Sequence, residues 1–169
     1  MRRHALAFLT AVSLAAASAP SVLADKGDKA GWSLDTDPRK RAFLIFVPVK
    51  DGPRLLTLGC LRDVDSFTVL SQQDPGVPSG QGISLTLANG AAKYVVLGKF
   101  DPDGAGVGQP GFDAEFDADK KALVAIGAQL LPVLQGKGPI VLTVGSKTGE
   151  LPIDGLSKSL ARFKSVCFG

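Results

Sequence analysis

Six acidic side chains between Asp101 and Asp119 form the densest group of carboxylates in the sequence, and carboxylates can hold calcium or act as acid and base. The set is Asp101, Asp103, Asp113, Glu115, Asp117 and Asp119. Its start is similar to a helix–loop–helix calcium loop, but Ala105 and Phe112 stand where that loop requires an oxygen ligand and a glutamate. The alternatives are an irregular calcium site and a solvated loop whose acids cap a helix.

Two shorter motifs have the residue spacing of known sites but lack the neighbouring elements that those sites require. Gly106, Gly108 and Gly111 have the spacing of a dinucleotide-binding loop, but Pro110 interrupts them and a strand-like segment follows where a helix is needed. The triplet Lys147-Thr148-Gly149 matches one element of penicillin-recognising serine enzymes, yet the chain lacks their Ser-x-x-Lys and Ser-Asp-Asn elements. We therefore predict no cofactor and interpret the triplet as a hairpin turn.

The only histidine of the chain, His4, lies in a segment that has the three parts of a secretory signal peptide. Two arginines precede an apolar run, Ala5–Ala17, and small residues at Val22-Leu23-Ala24 suit cleavage by a signal peptidase. We predict that residues 1–24 are removed and that the protein is periplasmic or secreted. Without histidine, the remaining chain cannot form Ser–His or Cys–His nucleophile systems or histidine zinc sites.

Charge and aromatic content narrow the function classes further. Loss of Arg2 and Arg3 with the signal peptide lowers the net charge from +3 to +1, because two positive charges leave. This balance does not favour nucleic-acid binding, which needs a basic face. One Trp and one Tyr offer little surface for stacking sugars, so carboxylate-based glycoside chemistry is the minority interpretation. We predict a protein that is not an enzyme and binds no metal.

Two cysteines, Cys60 and Cys167, allow a single intramolecular disulfide. In an exported chain of this size a bond is favoured over free thiols or bridges to another chain, which are the alternatives. A thiol redox enzyme would carry a close pair such as Cys-x-x-Cys, and these two residues are far apart in sequence. The predicted bridge is structural.

Short β-forming segments separated by turn signals predict an antiparallel sheet. The predicted strands begin near Trp32 and continue at Ala42–Val49, Leu55–Leu61, Ser66–Ser71, Ile83–Leu87, Lys93–Phe100, Phe112–Phe116, Ile140–Val144 and Thr148–Pro152. Asn89-Gly90 is the strongest hairpin signal among them.

Apolar residues at three- and four-residue spacing predict two helices. The first begins at a cap, Asp117 or Asp119, and ends between Pro132 and Gly136. The second begins at about Gly155, with Asp154 as its cap, and carries Cys167 on its apolar face. We predict an α+β fold, with a mainly antiparallel, sandwich-like sheet, one internal helix and a C-terminal helix. Residues 25–169 are expected to form one disulfide-closed domain.

The segment Leu151–Leu160 (LPIDGLSKSL) resembles the C-terminal signature of the invasion-associated locus B family, small exported proteins of α-proteobacteria. Gly155 takes the glycine position, Leu156 the bulky position after it, and Ser159-Leu160 the small-plus-leucine pair. Trp32 and a cysteine on an early strand also fit, although members usually have more than one cysteine pair. The resemblance implies a non-enzymatic periplasmic or surface protein linked to host-cell interaction or envelope integrity, and it supplies no catalytic residues.

The sequence thus predicts a non-catalytic envelope or secreted protein that acts through contact with a protein partner. Two alternatives remain open. A small-ligand carrier or inhibitor domain would have a deep apolar cavity between sheet and helix. A carboxylate-based or calcium-dependent enzyme would bring the acids between Asp101 and Asp119 together in a cleft.

Overall fold

The computed structural model describes residues 29–37, 39–102 and 110–169; the predicted signal peptide and Asp103 lie outside these ranges. The described chain contains nine strands and two helices. They are β1 (Gly31–Asp37), β2 (Arg41–Val47), β3 (Leu56–Leu61), β4 (Ser66–Ser71), β5 (Gly82–Asn89), β6 (Ala92–Asp101), β7 (Gly111–Asp117), α1 (Lys120–Leu134), β8 (Ile140–Val144), β9 (Lys147–Leu151) and α2 (Leu156–Cys167).

All nine strands belong to one curled antiparallel sheet with the order β1-β2-β3-β4-β7-β6-β5-β8-β9. The predicted α+β class and the mainly antiparallel sheet are confirmed. The sandwich-like arrangement is not seen among the described strands, because the two helices, rather than a second sheet, pack against the sheet's inner face.

The sheet divides between β6 and β7. Strand β6 pairs with β5 from Ala92 to Lys99, whereas its pairing with β7 covers only the last three residues, Lys99–Asp101. Beyond that point β7 pairs with β4 alone. Helix α1 follows β7 directly and packs against β6 and β5. Among the described strands, Ala92–Gly98 of β6 therefore has a β-partner on one side only.

The hairpin predicted at Asn89-Gly90 is present, and Gly90 has the positive φ, 58°, that such a tight turn requires. Asn89 also has a second role. Its side-chain amide donates to the carbonyl of Gly138 at 2.8 Å, and it packs directly against Gly136, where a Cβ would collide with it. The hairpin end and the loop after α1 are thereby joined.

Helix α1 begins and ends where the sequence predicts. The Asp119 carboxylate accepts a hydrogen bond from the Ala122 amide at 2.8 Å, which is N-capping. Pro132 lies inside the last turn, and the helix continues through it to Leu134.

Helix α2 begins after a residue other than the predicted cap. Gly155 is the N-cap, with φ of 80°, and no side chain makes a capping hydrogen bond, so the prediction that Asp154 caps this helix is wrong. The left-handed conformation at Gly155 is accessible to glycine without strain, and it lets the Leu156 amide donate back to the Ile153 carbonyl at 3.0 Å.

A second correction concerns the triplet Lys147-Thr148-Gly149. Its three residues lie in β9, and the turn before it is made by Gly145 and Ser146, with Gly145 at φ of 57°. The triplet is therefore a strand segment rather than the turn itself. The glycine that adopts the positive φ of the turn is Gly145, rather than Gly149 of the triplet.

The hydrophobic core lies between the inner face of the sheet and the two helices. Its largest fully buried aromatic side chains, Phe67, Phe112 and Phe163, come from β4, β7 and α2. The remaining inward positions are mostly leucine, isoleucine and valine, and all belong to one cluster of buried residues. Burial of this apolar surface, rather than any local propensity, fixes the helices on the sheet.

Candidate functional site

Of the six acidic residues that the sequence singles out, the five that the structure describes do not converge on a common site. Asp113, Glu115 and Asp117 alternate along the outer face of β7, Asp101 ends β6, and Asp119 caps α1. Ser66 donates a hydrogen bond to Glu115 at 2.8 Å, which ties that carboxylate to the neighbouring strand. Within the described residues, no three His, Cys, Asp or Glu side chains are placed so that they could hold a metal ion.

The carboxylate of Asp113 has a raised pKa. Its partial burial raises the pKa above the ordinary aspartate value, and the negative charges of Asp101 and Glu115 act in the same direction. Lys99, its partner across the β6–β7 pair, lowers the pKa and offsets part of this effect. The arrangement is that of a charged pair on a strand surface with like-charged neighbours.

Cys60 and Cys167 form the predicted disulfide, with a Cα–Cα distance of 5.8 Å. Cys60 is fully buried and Cys167 is 2% exposed, so solvent does not reach the sulfurs. Beside the bridge, the Arg62 guanidinium donates to the Val166 carbonyl at 3.2 Å. Both contacts join the end of α2 to β3 and the turn after it, which is a structural role.

The layer between sheet and helices is filled. Leu58 of β3, Leu85 of β5 and Leu130 of α1 are fully buried there, among the aromatic side chains of the core. A cavity lies elsewhere, between the end of α1 and one side of α2. We call this cavity, of about 350 Å³, the interhelical groove. It is lined by Leu134, Gln135, Gly136, Ile153, Leu156, Ser157, Leu160, Ala161 and Lys164.

A second surface feature is the outer side of β6, which exposes two large apolar side chains next to each other on the same face. Val95 is 47% exposed and Leu97 is 79% exposed, while Lys93 and Lys99 continue the same face at either end. We call these four residues the outer strip. Their neighbours across the pairing with β5 are small or polar, with Thr86 opposite Val95 and Ser84 opposite Leu97.

Sequence reasoning missed both surfaces. The run from Tyr94 to Leu97 is entirely apolar, which is typical of a strand buried on both faces. In the structure only alternate residues, Tyr94 and Val96, are buried. The interhelical groove has no motif at all, since it forms where two helices distant in sequence meet.

Comparison with known proteins does not assign the chain to a family. It matches no protein-family model, no curated protein and no solved structure. The resemblance to the invasion-associated locus B family therefore stays a prediction. Neither helix in the described part of the chain is both long and apolar enough to cross a membrane.

Proposed function

We propose that this protein is a non-catalytic exported factor that binds a protein partner, and that the outer strip is where the partner binds. The partner contributes an extended segment that lies beside β6 as an added strand. The observation that carries the proposal is the pair of exposed apolar side chains, Val95 and Leu97, on a strand that has, among the described strands, no β-partner on its far side along Ala92–Gly98.

An open strand edge is a template for another chain, since its amide and carbonyl groups can continue the ladder. Natural proteins usually protect such edges with charges, prolines or a covering element. The outer face of β6 carries such charges, Lys93 and Lys99, only at its two ends. Between them it presents apolar side chains at two successive outward positions, which would give an added strand side-chain contacts as well as main-chain hydrogen bonds.

Charge indicates what the added segment contains. Lys93 and Lys99 stand at the two ends of the outer strip, with Lys99 already beside Asp113. Lys93 has no such neighbour across the β5–β6 pair, where it faces Ala88. An extended segment with apolar residues in the middle and an acidic residue at the end beside Lys93 complements this surface.

Export is supported by two features that are independent of the binding surface. The predicted signal peptide has all its parts, and the chain's two cysteines are joined in a buried bridge, as is usual for proteins of oxidising compartments. We propose that the protein acts in the cell envelope or outside the cell. Host-cell interaction is the setting that the resemblance to the invasion-associated locus B family implies.

The proposal is tested by affinity capture with the exported, oxidised protein on envelope fractions and host-cell lysate, using surface variants. We expect a specific protein that is captured by the wild type and lost with the double variant Val95→Thr, Leu97→Thr. Threonine keeps the β propensity of both positions while removing their apolar contact surface.

The matched control is Val124→Thr, because Val124 is a valine of similar exposure, 54%, on α1. This variant should capture the same protein as the wild type. Capture that survives the double variant, or that is lost equally with Val124→Thr, would show that the outer strip is not the binding surface.

A further inference from the structure

We propose that the interhelical groove binds a small amphiphile with a single carboxylate headgroup and an unbranched aliphatic chain, with the carboxylate at Lys164. This site is separate from the outer strip and goes beyond contact with a protein partner.

The groove has aliphatic walls. Leu134 at the end of α1 faces Leu156 and Leu160 of α2, and Ile153 closes the side formed by the segment before α2. These side chains give an aliphatic chain the apolar contact that drives binding in most small-molecule sites, where a few polar groups then fix the orientation.

Its size favours a small molecule over a protein segment. A volume of about 350 Å³ is at the lower end of the range of roughly 300–1,000 Å³ that ligand sites occupy. It holds about a dozen water-sized groups. A single turn of a helix, about 10 Å across and 5.4 Å high, already exceeds it.

Charge complementarity selects the headgroup. Lys164 is the one charged side chain among the lining residues, and in the described part of the chain it forms no salt bridge. Helix α2 adds Lys158 and Arg162 and contains no acidic residue, so these cations outnumber Asp154, the one acid that adjoins the lining residue Ile153 in sequence. An anionic group is attracted here, and one ammonium group balances one negative charge.

The opposite wall sets the orientation of the ligand. Gln135 and Gly136 follow the last turn of α1, where the helix dipole places partial negative charge. Lys164 lies in the last turn of α2 and meets the same partial charge there, but its full positive charge outweighs it, whereas no lining side chain at the end of α1 is a cation. The aliphatic chain therefore extends from Lys164 across Leu160 and Leu156 towards the end of α1.

The experiment titrates the exported, oxidised protein with dodecanoate, below the concentration at which it forms micelles, and follows binding by calorimetry. We expect saturable binding of one molecule. Lys164→Gln should weaken the affinity roughly fivefold, the upper range for one exposed ion pair. Ala161→Leu, which fills the groove from an exposed helical position, should abolish binding.

The matched control is Lys158→Gln, which removes the same charge from the same helix outside the lining and should change the affinity by less than twofold. Thermal unfolding of each variant verifies that it is folded. Dodecanol tests the headgroup and should bind more weakly than dodecanoate, because it has no charge for Lys164 to pair with.

The inference is overturned if dodecanoate does not saturate the wild type. Equal effects of Lys164→Gln and Lys158→Gln would overturn it too, and so would dodecanol binding as tightly as dodecanoate. Because the outer strip is untouched in these variants, partner capture through Val95 and Leu97 succeeds or fails independently.

Discussion

The indole nitrogen of Trp32 donates a hydrogen bond to the carbonyl of Pro152 at 2.6 Å, across 120 positions of sequence. Trp32 lies in β1 and Pro152 follows β9, so this bond joins the two outermost strands of a nine-stranded sheet. The sheet curls enough to bring its ends within one side chain of each other. The Trp32 ring also packs on Phe46 of β2, with ring centroids 5.1 Å apart.

Replacing Trp32 by Phe tests how much that bond contributes. We expect a loss of about 0.5–1.5 kcal/mol in the free energy of unfolding, because the hydrogen bond disappears while a ring remains on Phe46. Circular dichroism during chemical denaturation measures the change. The control, Thr36→Val, removes a 3.1 Å bond to Arg41 within one hairpin; an equal or larger loss there would contradict a special role for the edge-to-edge bond.

The disulfide is expected to be the largest single contribution to stability outside the core. It closes a loop of 107 residues, for which chain-entropy estimates give about 4–5 kcal/mol. Cys60→Ser should therefore lower the free energy of unfolding by several kcal/mol, with denaturant titration as the measurement.

Mass spectrometry without reductant gives the independent check on the bridge. The native protein should be lighter than the dithiol form by the mass of two hydrogens. Two thiols that react with an alkylating reagent in the native protein would contradict the bridge, and a double Cys60→Ser, Cys167→Ser variant as stable as the wild type would contradict its energetic role.

Gly59 has little room for a side chain, because the Phe43 ring lies over it on the outer face of the sheet and Thr68 is on its other side. Gly59→Ala should cost about 1–3 kcal/mol through overpacking, measured by thermal unfolding. Gly149→Ala is the control, since a Cβ there meets nothing within 4 Å, and it should be neutral or slightly stabilising. If truncating Phe43 as well does not lessen the penalty, the ring is not its cause.

Asp113 should make the protein less stable as pH rises from the acid range. The unfolded aspartate has a pKa of about 3.9, and the folded-state pKa of Asp113 lies above it. The folded state therefore holds the proton more tightly. This contribution is fully favourable below the unfolded pKa and is lost as pH rises through the folded pKa. Asp113→Asn should remove that part of the pH dependence in denaturation series, whereas Asp117→Asn, on the same face of β7, should leave the Asp113 dependence in place.

Tyr94 is the chain's one tyrosine, and burial raises the pKa of its phenol to about 12. The unfolded phenol ionises near 10, so stability falls as pH rises from about 10 towards 12. Absorbance titration should give a midpoint near 12 for the folded protein. Tyr94→Phe should remove this share of the alkaline loss; an unchanged alkaline profile would show that the phenol is not its source.

The elements with strong local signals are the ones that the sequence predicts well. Asn89-Gly90 fixes a hairpin, and Asp119 begins α1, because turn and cap chemistry depends on neighbouring residues alone. Asp154 shows the limit of such signals. Asp154 and Gly155 can each be the N-cap of α2, and the structure has Gly155 there, in the left-handed conformation.

The order of the strands could not be predicted in the same way. β7 inserts between β4 and β6, and β5 pairs with β8, so neighbours in the sheet are separated by loops or by a helix in sequence. The division of the sheet beside β6 and the interhelical groove both result from that order. The acids between Asp101 and Asp119 were conspicuous in composition, yet alternation along β7 spreads three of them over a strand face.

The sequence separation of Cys60 and Cys167 also determines when their disulfide can form. A polypeptide that enters an export channel from its amino end delivers Cys60 early and its partner 107 residues later. The covalent ring encloses α1 and most of the strands, and under the export that we propose it closes only after that entire stretch has crossed into the oxidising compartment. Formation of the disulfide is therefore a late event in maturation. In a chain that stops before Cys167, Cys60 has no partner within the chain and remains a thiol.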